Sequence, residues 1–491
     1  MKTLKNRFAV LLVLPVLALP ACTDLLEDVE PATSISFEAA LTSPEAVQAL
    51  RASMYSKIRS SFDMTTEYML GAGALADETY NRPGSSRFNA LNEAVGASGT
   101  AHMAPFGGYE VIQEANMLIG GIEDGVLEQA ELDLYRGEAL AIRAWVNHSL
   151  ARAFGYEPGT AGASSFDLSI LLRVDPTLDL VNAEPIPRST IAETYAQIKA
   201  DLAEAKTLLA GVNGDKSYVT EAFVEAVRAR VHLYAGEWAD AASAAQSAID
   251  LSGRSLVSTE AGIATMWRGP NPEAIFELVV DPSTEPIAGS NVNSGLVSYT
   301  SDQWVAQVPT DALVSTYGAG DWRVAGWHND CIAEQTTGAT AVGCDEINSL
   351  GVSLTKWNGW KGNLATDISY MRVSEMYLIR AEGLAKAAND PNAGLAPLQA
   401  LRDARNAGAV PAEALANMTA FEDFILDERM RELSGEGHRF FDLKRLGRDI
   451  LGRDGDPKMR SDSYRILAPF GLGAQNVNPL LVENPGYETA E

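Results

Sequence analysis

The chain has 491 residues, of which 46% are hydrophobic, and a formal net charge of −27 at pH 7. This apolar content is ample for a buried core, and the length suits one large helical domain or two to three ordinary ones. A surface this acidic repels phosphate backbones, so the composition argues against nucleic-acid binding. Cations and neutral ligands are compatible with it.

The first residues are typical of an export signal. Lys2, Lys5 and Arg7 precede an apolar run from 8 to 19, which is well short of the ~20 residues that a membrane-spanning helix needs. We therefore predict a signal peptide over residues 1–21. Its removal takes away these three positive charges and no negative ones, so the formal charge changes from −27 to −30.

Cys22 indicates how the exported chain is held. A cysteine directly after a small residue resembles the end of bacterial lipoprotein signals, where signal peptidase II cleaves. Acylation of Cys22 would anchor the protein through its lipid alone. The alternative is an ordinary secretory signal followed by a coincidental cysteine.

Residues 22–36 form a predicted acidic tether. The segment 23–30 carries four acids and no base. This pattern resembles the signal that sends lipoproteins of Bacteroidota to the outer face of the outer membrane. A solvated acidic linker explains the same charges equally well.

Helical periodicity dominates the first half of the chain and returns near its end. Ser43-Pro44-Glu45 supplies N-cap and first-turn residues for a first helix. The spacing of apolar residues predicts further helices at 109–119, 128–154, 191–209, 220–234, 238–251, 367–387 and 394–407.

The clearest repeat surrounds Gly236. Ala226 and Ala229 precede this glycine, and Ala241 and Ala242 follow it. Small residues let two helices pack closely across a tight turn, as in tetratricopeptide repeats. We therefore predict a mainly α fold, with tetratricopeptide-like helix pairs forming a scaffold and an irregular loop-rich insert.

The insert, at about 256–365, is rich in Gly, Asn, Ser, Thr and Pro, with one short strand predicted at 275–280. Loops on a rigid scaffold often carry function, so we expect a binding surface here. Six of the eight tryptophans fall in this segment, namely Trp267, Trp304, Trp322, Trp327, Trp357 and Trp360.

Aromatic rings beside Asn, Asp or Arg suit sugars, which present apolar C–H faces and many hydroxyls. Such clusters occur at 77–82, 321–323 and 327–330. For each tryptophan the alternative is a place in the core. The candidate ligand-binding residues are Tyr80, Asn81, Arg82, Trp304, Trp322, Trp327 and Asn329.

The remaining cysteines and the histidines indicate a disulfide and no metal. Cys331 and Cys344 are left once Cys22 is acylated, and in an oxidising compartment such a pair most simply forms a disulfide. The five histidines are scattered without metal-ligand spacing, so we predict no metal site and no cofactor.

Three blocks resemble the SusD/RagB family of outer-membrane nutrient-binding lipoproteins. They are YMRVSEMYLIRAE at 370–382, DERMRELSGEGHRFFDLKR at 427–445 and NPLLVENPGY at 478–487. The resemblance implies a SusD-like, α-rich fold with one irregular ligand-binding face and no catalytic activity. It also implies that the protein faces the cell exterior and delivers an oligosaccharide or another nutrient to a TonB-dependent, SusC-like barrel.

These features predict one SusD-like domain over residues 37–491. The helix-pair scaffold would occupy about 37–255 and 366–450, with the insert between them. An extended C-terminal tail would follow at 451–491.

Two other functions stay open at this point. Helix pairs alone equally suit a periplasm-facing scaffold lipoprotein for envelope protein complexes. A glycan hydrolase is the weaker alternative, because the dense charges of 432–445 could suggest acid–base chemistry. No matching nucleophile accompanies those charges, and we expect them to form structural ion pairs.

Overall fold

The computed structural model describes residues 41–60, 62, 68–81, 85, 88–94, 106–178, 183–281, 283, 296–297, 300, 306–329, 353–357, 360–361, 365–452 and 455–487. Within them, the helices are α1 (Pro44–Ser60), α2 (Gly71–Leu75), α3 (Asn89–Asn92), α4 (Gly108–Gly120), α5 (Gln129–Phe154), α6 (Ala161–Ser165), α7 (Ile191–Leu208), α8 (Glu221–Tyr234), α9 (Trp238–Ser252), α10 (Glu260–Thr265), α11 (Asp311–Ser315), α12 (Trp322–Trp327), α13 (Val373–Ala388), α14 (Leu395–Ala404), α15 (Met418–Leu433), α16 (Arg439–Arg445) and α17 (Gly471–Val477). The strands are β1 (Thr79–Asn81), β2 (Ala274–Leu278), β3 (Gln307–Pro309), β4 (His328–Asn329), β5 (Ser353–Leu354), β6 (Ile368–Arg372), β7 (Ile450–Leu451) and β8 (Pro457–Met459).

Local sequence signals set the ends of the long helices. The Ser43 hydroxyl accepts a hydrogen bond from the backbone N–H of Ala46 (3.2 Å) at the start of α1. At the start of α7, Thr190 and Glu193 form a reciprocal capping box. These bonds satisfy backbone N–H groups that have no partner inside the helix.

Successive helices pack side by side from α1 through α4, α5, α7, α8 and α9 to α13. The turn between α8 and α9 uses Gly236 at φ +70°, where a side chain would be strained. A Cβ atom on Gly383 of α13 would lie 2.6 Å from the Trp238 carbonyl oxygen, so glycine is required for α13 to approach α9. The predicted mainly α fold with tetratricopeptide-like helix pairs is confirmed.

The predicted helix at 367–387 is wrong at its beginning. Residues 368–372 form β6, which pairs antiparallel with β2, and α13 starts only at Val373. All five residues of β6 are buried, because the strand lies between the helices and the insert. A ladder to a distant segment has therefore overridden the local helical pattern.

The insert is attached to the scaffold through short ladders. The β1–β3 and β2–β6 ladders each join a scaffold strand to an insert strand, whereas the β4–β5 ladder lies within the insert. The β3 strand also contacts β5, so the β1–β3 and β4–β5 ladders are neighbours. Along the described part of the chain, none of the helices is both long enough and apolar enough to cross a membrane.

Candidate ligand-binding face on the β1–β3 ladder

The β1–β3 ladder gathers four side-chain amides, which we call the amide cluster: Asn81, Asn89, Asn92 and Gln307. Asn81 lies opposite Gln307 in the ladder, and the Gln307 amide donates to the side-chain oxygens of Asn81 (2.5 Å) and Asn92 (3.2 Å). Asn81 in turn donates to the Asn89 side chain. Asn89 is exposed and Asn81 is half-buried, so the cluster reaches the surface.

Tyr80 lies beside the amide cluster but points to the other side of the strand, as neighbouring strand residues do. It is 6% exposed and lines a cavity of about 150 Å³. Asp77, Thr79 and Asp311 line the same cavity, so it combines one ring with acceptor oxygens.

The segment that carries Tyr80 is anchored to the second family-like block. Asp77 forms a bidentate ion pair with Arg439 (2.7 and 2.8 Å), and the Glu78 carboxylate accepts from the Gly435 N–H (2.6 Å). Glu78 is 1% exposed, and burial raises its pKa to about 7. The block at 427–445 therefore positions the candidate binding strand.

Lys458 of β8 contacts the segments on both sides of β1. Its ammonium group donates to the carbonyl oxygens of Ala74 (3.0 Å) and Asn92 (3.1 Å). Burial lowers the pKa of Lys458 to about 8. This lysine therefore links two backbone segments that flank β1, one of which carries Asn92 of the amide cluster.

The charges of the block at 432–445 are engaged in ion pairs, as expected for a structural role. The pairs are Glu432 with Arg405, Arg372 and Arg323; Glu436 with Lys356 and Arg372; Arg439 with Asp77; Asp442 with Arg429 and Arg445; Lys444 with Glu157; and Arg445 with Glu382. His438 is buried, and burial together with neighbouring arginines holds its pKa well below its usual range.

The centre of these pairs is the buried charged network, defined as Glu273, Glu428, Glu432, Arg323, Arg372 and Arg405. The Glu432 carboxylate accepts from Arg405 at 2.8 and 3.0 Å, and from Arg372 at 3.1 Å. Burial opposes ionisation of Glu432, but these guanidinium groups hold its pKa far below the ordinary value. The network joins β6, α12 and α15 to the residue before β2 and the residue after α14.

Trp327 lies against this network and is not at the surface. Its side chain is 0% exposed and packs 4.2 Å from the Lys356 ammonium and edge-on to Trp267. A ring without an exposed face cannot stack on a sugar, so its assignment as a ligand-binding residue is wrong and Trp327 belongs to the core. Trp322 is half-buried and stays a candidate.

The other candidates are divided between described and undescribed parts of the chain. Tyr80 and Asn81 meet at the β1–β3 ladder, and Asn329 ends β4, one ladder away. The side chain of Asn329 is outside the described residues. So are Cys22, Arg82, Trp304, Cys331 and Cys344.

The sequence pattern missed three members of the amide cluster. Asn89 and Asn92 follow no motif, and Gln307 is far from Asn81 along the chain. Only the pairing of β1 with β3 brings them together. The one sequence signal for this site is the aromatic residue next to an amide at Tyr80-Asn81.

One group of side chains has metal-ligand spacing in the described residues. His232, Glu237 and Asp240 place one ligand atom each within 4.8 Å of one another, at the turn between α8 and α9. Glu237 already accepts from His232 (2.6 Å) and forms an ion pair with Lys199. Because these partners neutralise the carboxylate, we assign no metal to this group.

The stacked helices, with small ladders and an amide face on one side, define a tetratricopeptide-like scaffold protein with one irregular surface. Two family models match the chain. One, described as the SusD family, matches residues 347–487. The other, described as "starch-binding associating with outer membrane", matches residues 26–233. The chain belongs to the SusD/RagB family.

Known relatives agree over nearly the full length. SusD-like protein P38 of Formosa agariphila is 25% identical, over 99% of this chain and 100% of its own. A SusD superfamily protein of Bacteroides thetaiotaomicron has a similar crystal structure, with a TM-score of 0.74 and 23% identity over 92% of this chain and 100% of that chain. A structure described as a laminarin-binding SusD-like protein has a TM-score of 0.72 and 21% identity, over 91% of this chain and 100% of that chain.

Proposed function

We propose that this protein is a surface-exposed lipoprotein that captures an oligosaccharide on the β1–β3 face and delivers it to a TonB-dependent, SusC-like barrel. The observation that carries the proposal is the amide cluster beside the Tyr80 cavity. Membership of the SusD/RagB family and the description of one family model as starch-binding support it.

Side-chain amides suit a sugar ligand for a physical reason. Each amide offers donors and an acceptor without a net charge, which matches the paired donor and acceptor character of a hydroxyl. In the amide cluster Asn81 donates to the exposed Asn89, so a sugar hydroxyl can replace that partner and leave the Asn89 amide in contact with water. A sugar chain that also enters the neighbouring cavity would place an apolar C–H face against the Tyr80 ring.

We propose binding without catalysis. The acids that could act as general acid or base in the block at 432–445 are held by arginine or lysine partners. The arginine partners of Glu432 hold its pKa far below the ordinary value, and such a carboxylate is a poor proton donor near neutral pH. A polysaccharide that is cleaved by the purified protein alone would contradict this part of the proposal.

The binding experiment uses two polysaccharides that the relatives suggest, starch and laminarin, with oligosaccharides of both. Isothermal titration should give a dissociation constant in the micromolar to millimolar range, about −4 to −8 kcal/mol. Asn81→Ala should weaken binding, whereas Asn213→Ala, at an exposed loop position, should not. Equal affinity of the two variants and the wild type would remove the β1–β3 face from the proposal.

The anchor and the orientation are tested on whole cells. Protease treatment of intact cells should remove the wild-type protein, and Cys22→Ser should release it from the membrane fraction because the lipid is lost. Protection from protease would favour the alternative, a periplasm-facing scaffold for envelope proteins.

The partner is tested by affinity purification from solubilised outer membranes. A TonB-dependent barrel should co-purify with the wild-type protein and with Asn81→Ala, because the sugar contact is not the barrel contact. A purification that recovers no barrel would contradict delivery to a transporter.

A further inference from the structure

Arg152, near the C-terminal end of α5, is a buried charge without an acidic partner in the described part of the chain. It is 2% exposed, its Nη1 donates to the Tyr234 hydroxyl at 3.4 Å, and its Nε has no partner. By contrast, the buried Arg143 and Arg230 are paired with Asp201 (2.7 Å) and Glu375 (2.6 Å), and the buried Arg188, which also has no acidic partner among these residues, donates to five oxygen atoms. An isolated buried charge is strongly unfavourable.

Aromatic rings surround the Arg152 guanidinium. Its carbon lies 4.6 Å from the ring centre of Phe441, 5.1 Å from that of Tyr234 and 5.4 Å from that of Tyr68. Cation–π contacts of this kind contribute about 2 kcal/mol each when desolvated, so three of them offset part of the several kcal/mol that burial of an unpaired ion costs. They supply no acceptor for the guanidinium N–H groups, and the Nε donor stays without one.

Arg152 also lines a small cavity, together with Tyr68, Arg230, Glu436 and His438. Its volume is about 10 Å³, which is room for the centre of one water-sized atom. The Tyr68 hydroxyl is buried and makes no well-formed hydrogen bond among the described residues, although Ser149 lies near it. The Arg152 guanidinium and the Tyr68 hydroxyl therefore both offer donors to the cavity.

The charge around the cavity is positive. Arg230 is neutralised by Glu375, and the Glu436 carboxylate is bound by Lys356 and Arg372 at 2.8 Å each. The positive charge of Arg152 therefore has no negative charge to balance it. A cavity of this size has no room for a polyatomic anion, and its positive surroundings disfavour a cation. A water molecule would fit, but it carries no charge that could compensate the guanidinium.

We propose that this cavity is a halide site, in which one chloride ion is held by Arg152 and the Tyr68 hydroxyl. The ion would tie the end of α5 to the segment at 68–69 and to the turn at 436–438, which leads into the block that anchors the candidate binding strand. The inference is independent of the proposed sugar ligand.

Crystals of the wild-type protein grown with bromide in place of chloride test the site directly. An anomalous bromide peak should lie within hydrogen-bond distance of the Arg152 guanidinium and the Tyr68 hydroxyl. A cavity with water density and no anomalous peak would overturn the proposal, and so would bromide peaks confined to the protein surface.

Thermal unfolding tests the site in solution. The unfolding midpoint should rise with chloride between about 1 mM and about 100 mM, at constant ionic strength set with gluconate, because the ion binds only the folded state. Tyr68→Phe keeps the ring and removes one donor, so its midpoint should depend less on chloride. Tyr195→Phe, at another buried tyrosine that does not line the cavity, should keep the wild-type dependence.

Arg152→Met removes the charge and should abolish the dependence on chloride. If that variant does not fold, the bromide peak and the comparison of Tyr68→Phe with Tyr195→Phe still test whether the halide site exists. A wild-type midpoint that is equal in chloride and gluconate would show that the aromatic rings alone compensate Arg152, and the halide site would be rejected.

Discussion

The buried charged network and the amide cluster are both dense in polar groups, but their surroundings differ. In the network, Glu432 is 0% exposed and accepts from three arginines, so no partner can leave without stranding an ion. In the amide cluster the groups are neutral, and Asn81 and Asn89 reach the surface although Gln307 is buried, so the outer partners can be exchanged at small cost. Polar density indicates a binding site only where the polar groups can change partners.

The largest expected effect comes from breaking the network at its centre. Glu432→Ala leaves Arg405, Arg372 and Arg323 short of a partner in a region without water contact, which should lower the free energy of unfolding by about 3–5 kcal/mol. Chemical denaturation measures it. Glu204→Ala, at an exposed position of α7, is the control and should change the free energy little. A loss below about 1 kcal/mol for Glu432→Ala would mean that the arginines find other partners.

The next effect concerns the C-terminal segment, which one arginine clamps to the scaffold. Arg188 donates to five oxygens: the carbonyls of Ser169, Val482, Phe154 and Leu168, and the Asn484 side chain. Arg188→Met keeps apolar volume and strands these acceptors, so it should cost about 3 kcal/mol and expose the tail. Limited proteolysis with mass spectrometry should detect early cleavage near 480. Arg460→Met, at an exposed site of the same tail, should resist as the wild type does.

A pH effect should come from Glu78, which lies between the two regions. Burial raises its pKa to about 7 in the folded state, above the ordinary 4.5. The folded state therefore holds a proton that the unfolded state has lost, and Glu78 makes stability fall as pH rises from about 4.5 to about 7. Glu78→Gln can still accept from the Gly435 N–H, so it should gain up to about 3 kcal/mol relative to the wild type across this range.

Unfolding free energies at pH 5 and pH 8 measure this difference. The exposed Glu413→Gln should follow the wild type at both values. A constant offset between Glu78→Gln and the wild type would show that the carboxyl group does not titrate in this range.

The sequence predicts the scaffold well because its signals are local. Thr190 with Glu193 marks a helix start, and the small residues around Gly236 mark a close helix pair. The strand at 368–372 escaped prediction because its partner is β2, far away along the chain. Composition likewise could not tell that Trp327 faces the charged network and not the solvent.

For the candidate site, the sequence predicted residues of β1 but none of its partner strand β3. Tyr80 and Asn81 stood out as an aromatic next to an amide, whereas Gln307 and Asn92 became relevant only through the fold. A side chain that acquires its role by strand pairing leaves no local pattern. The division of the chain into scaffold, insert and tail stays a prediction.

The smallest effect on stability, and the one that most sharpens the comparison, should come from the amide cluster. Gln307→Ala removes a buried amide that donates to Asn81 and Asn92 and accepts from the Thr79 hydroxyl, so the free energy of unfolding should fall by about 1–2 kcal/mol, less than in Glu432→Ala. Its affinity for the oligosaccharide should nevertheless fall about tenfold, which corresponds to about 1.4 kcal/mol. Titration and denaturation of the same preparation give both values. If stability falls as much as in Glu432→Ala while affinity is unchanged, the cluster is a second structural network, and the contrast between the two regions does not hold.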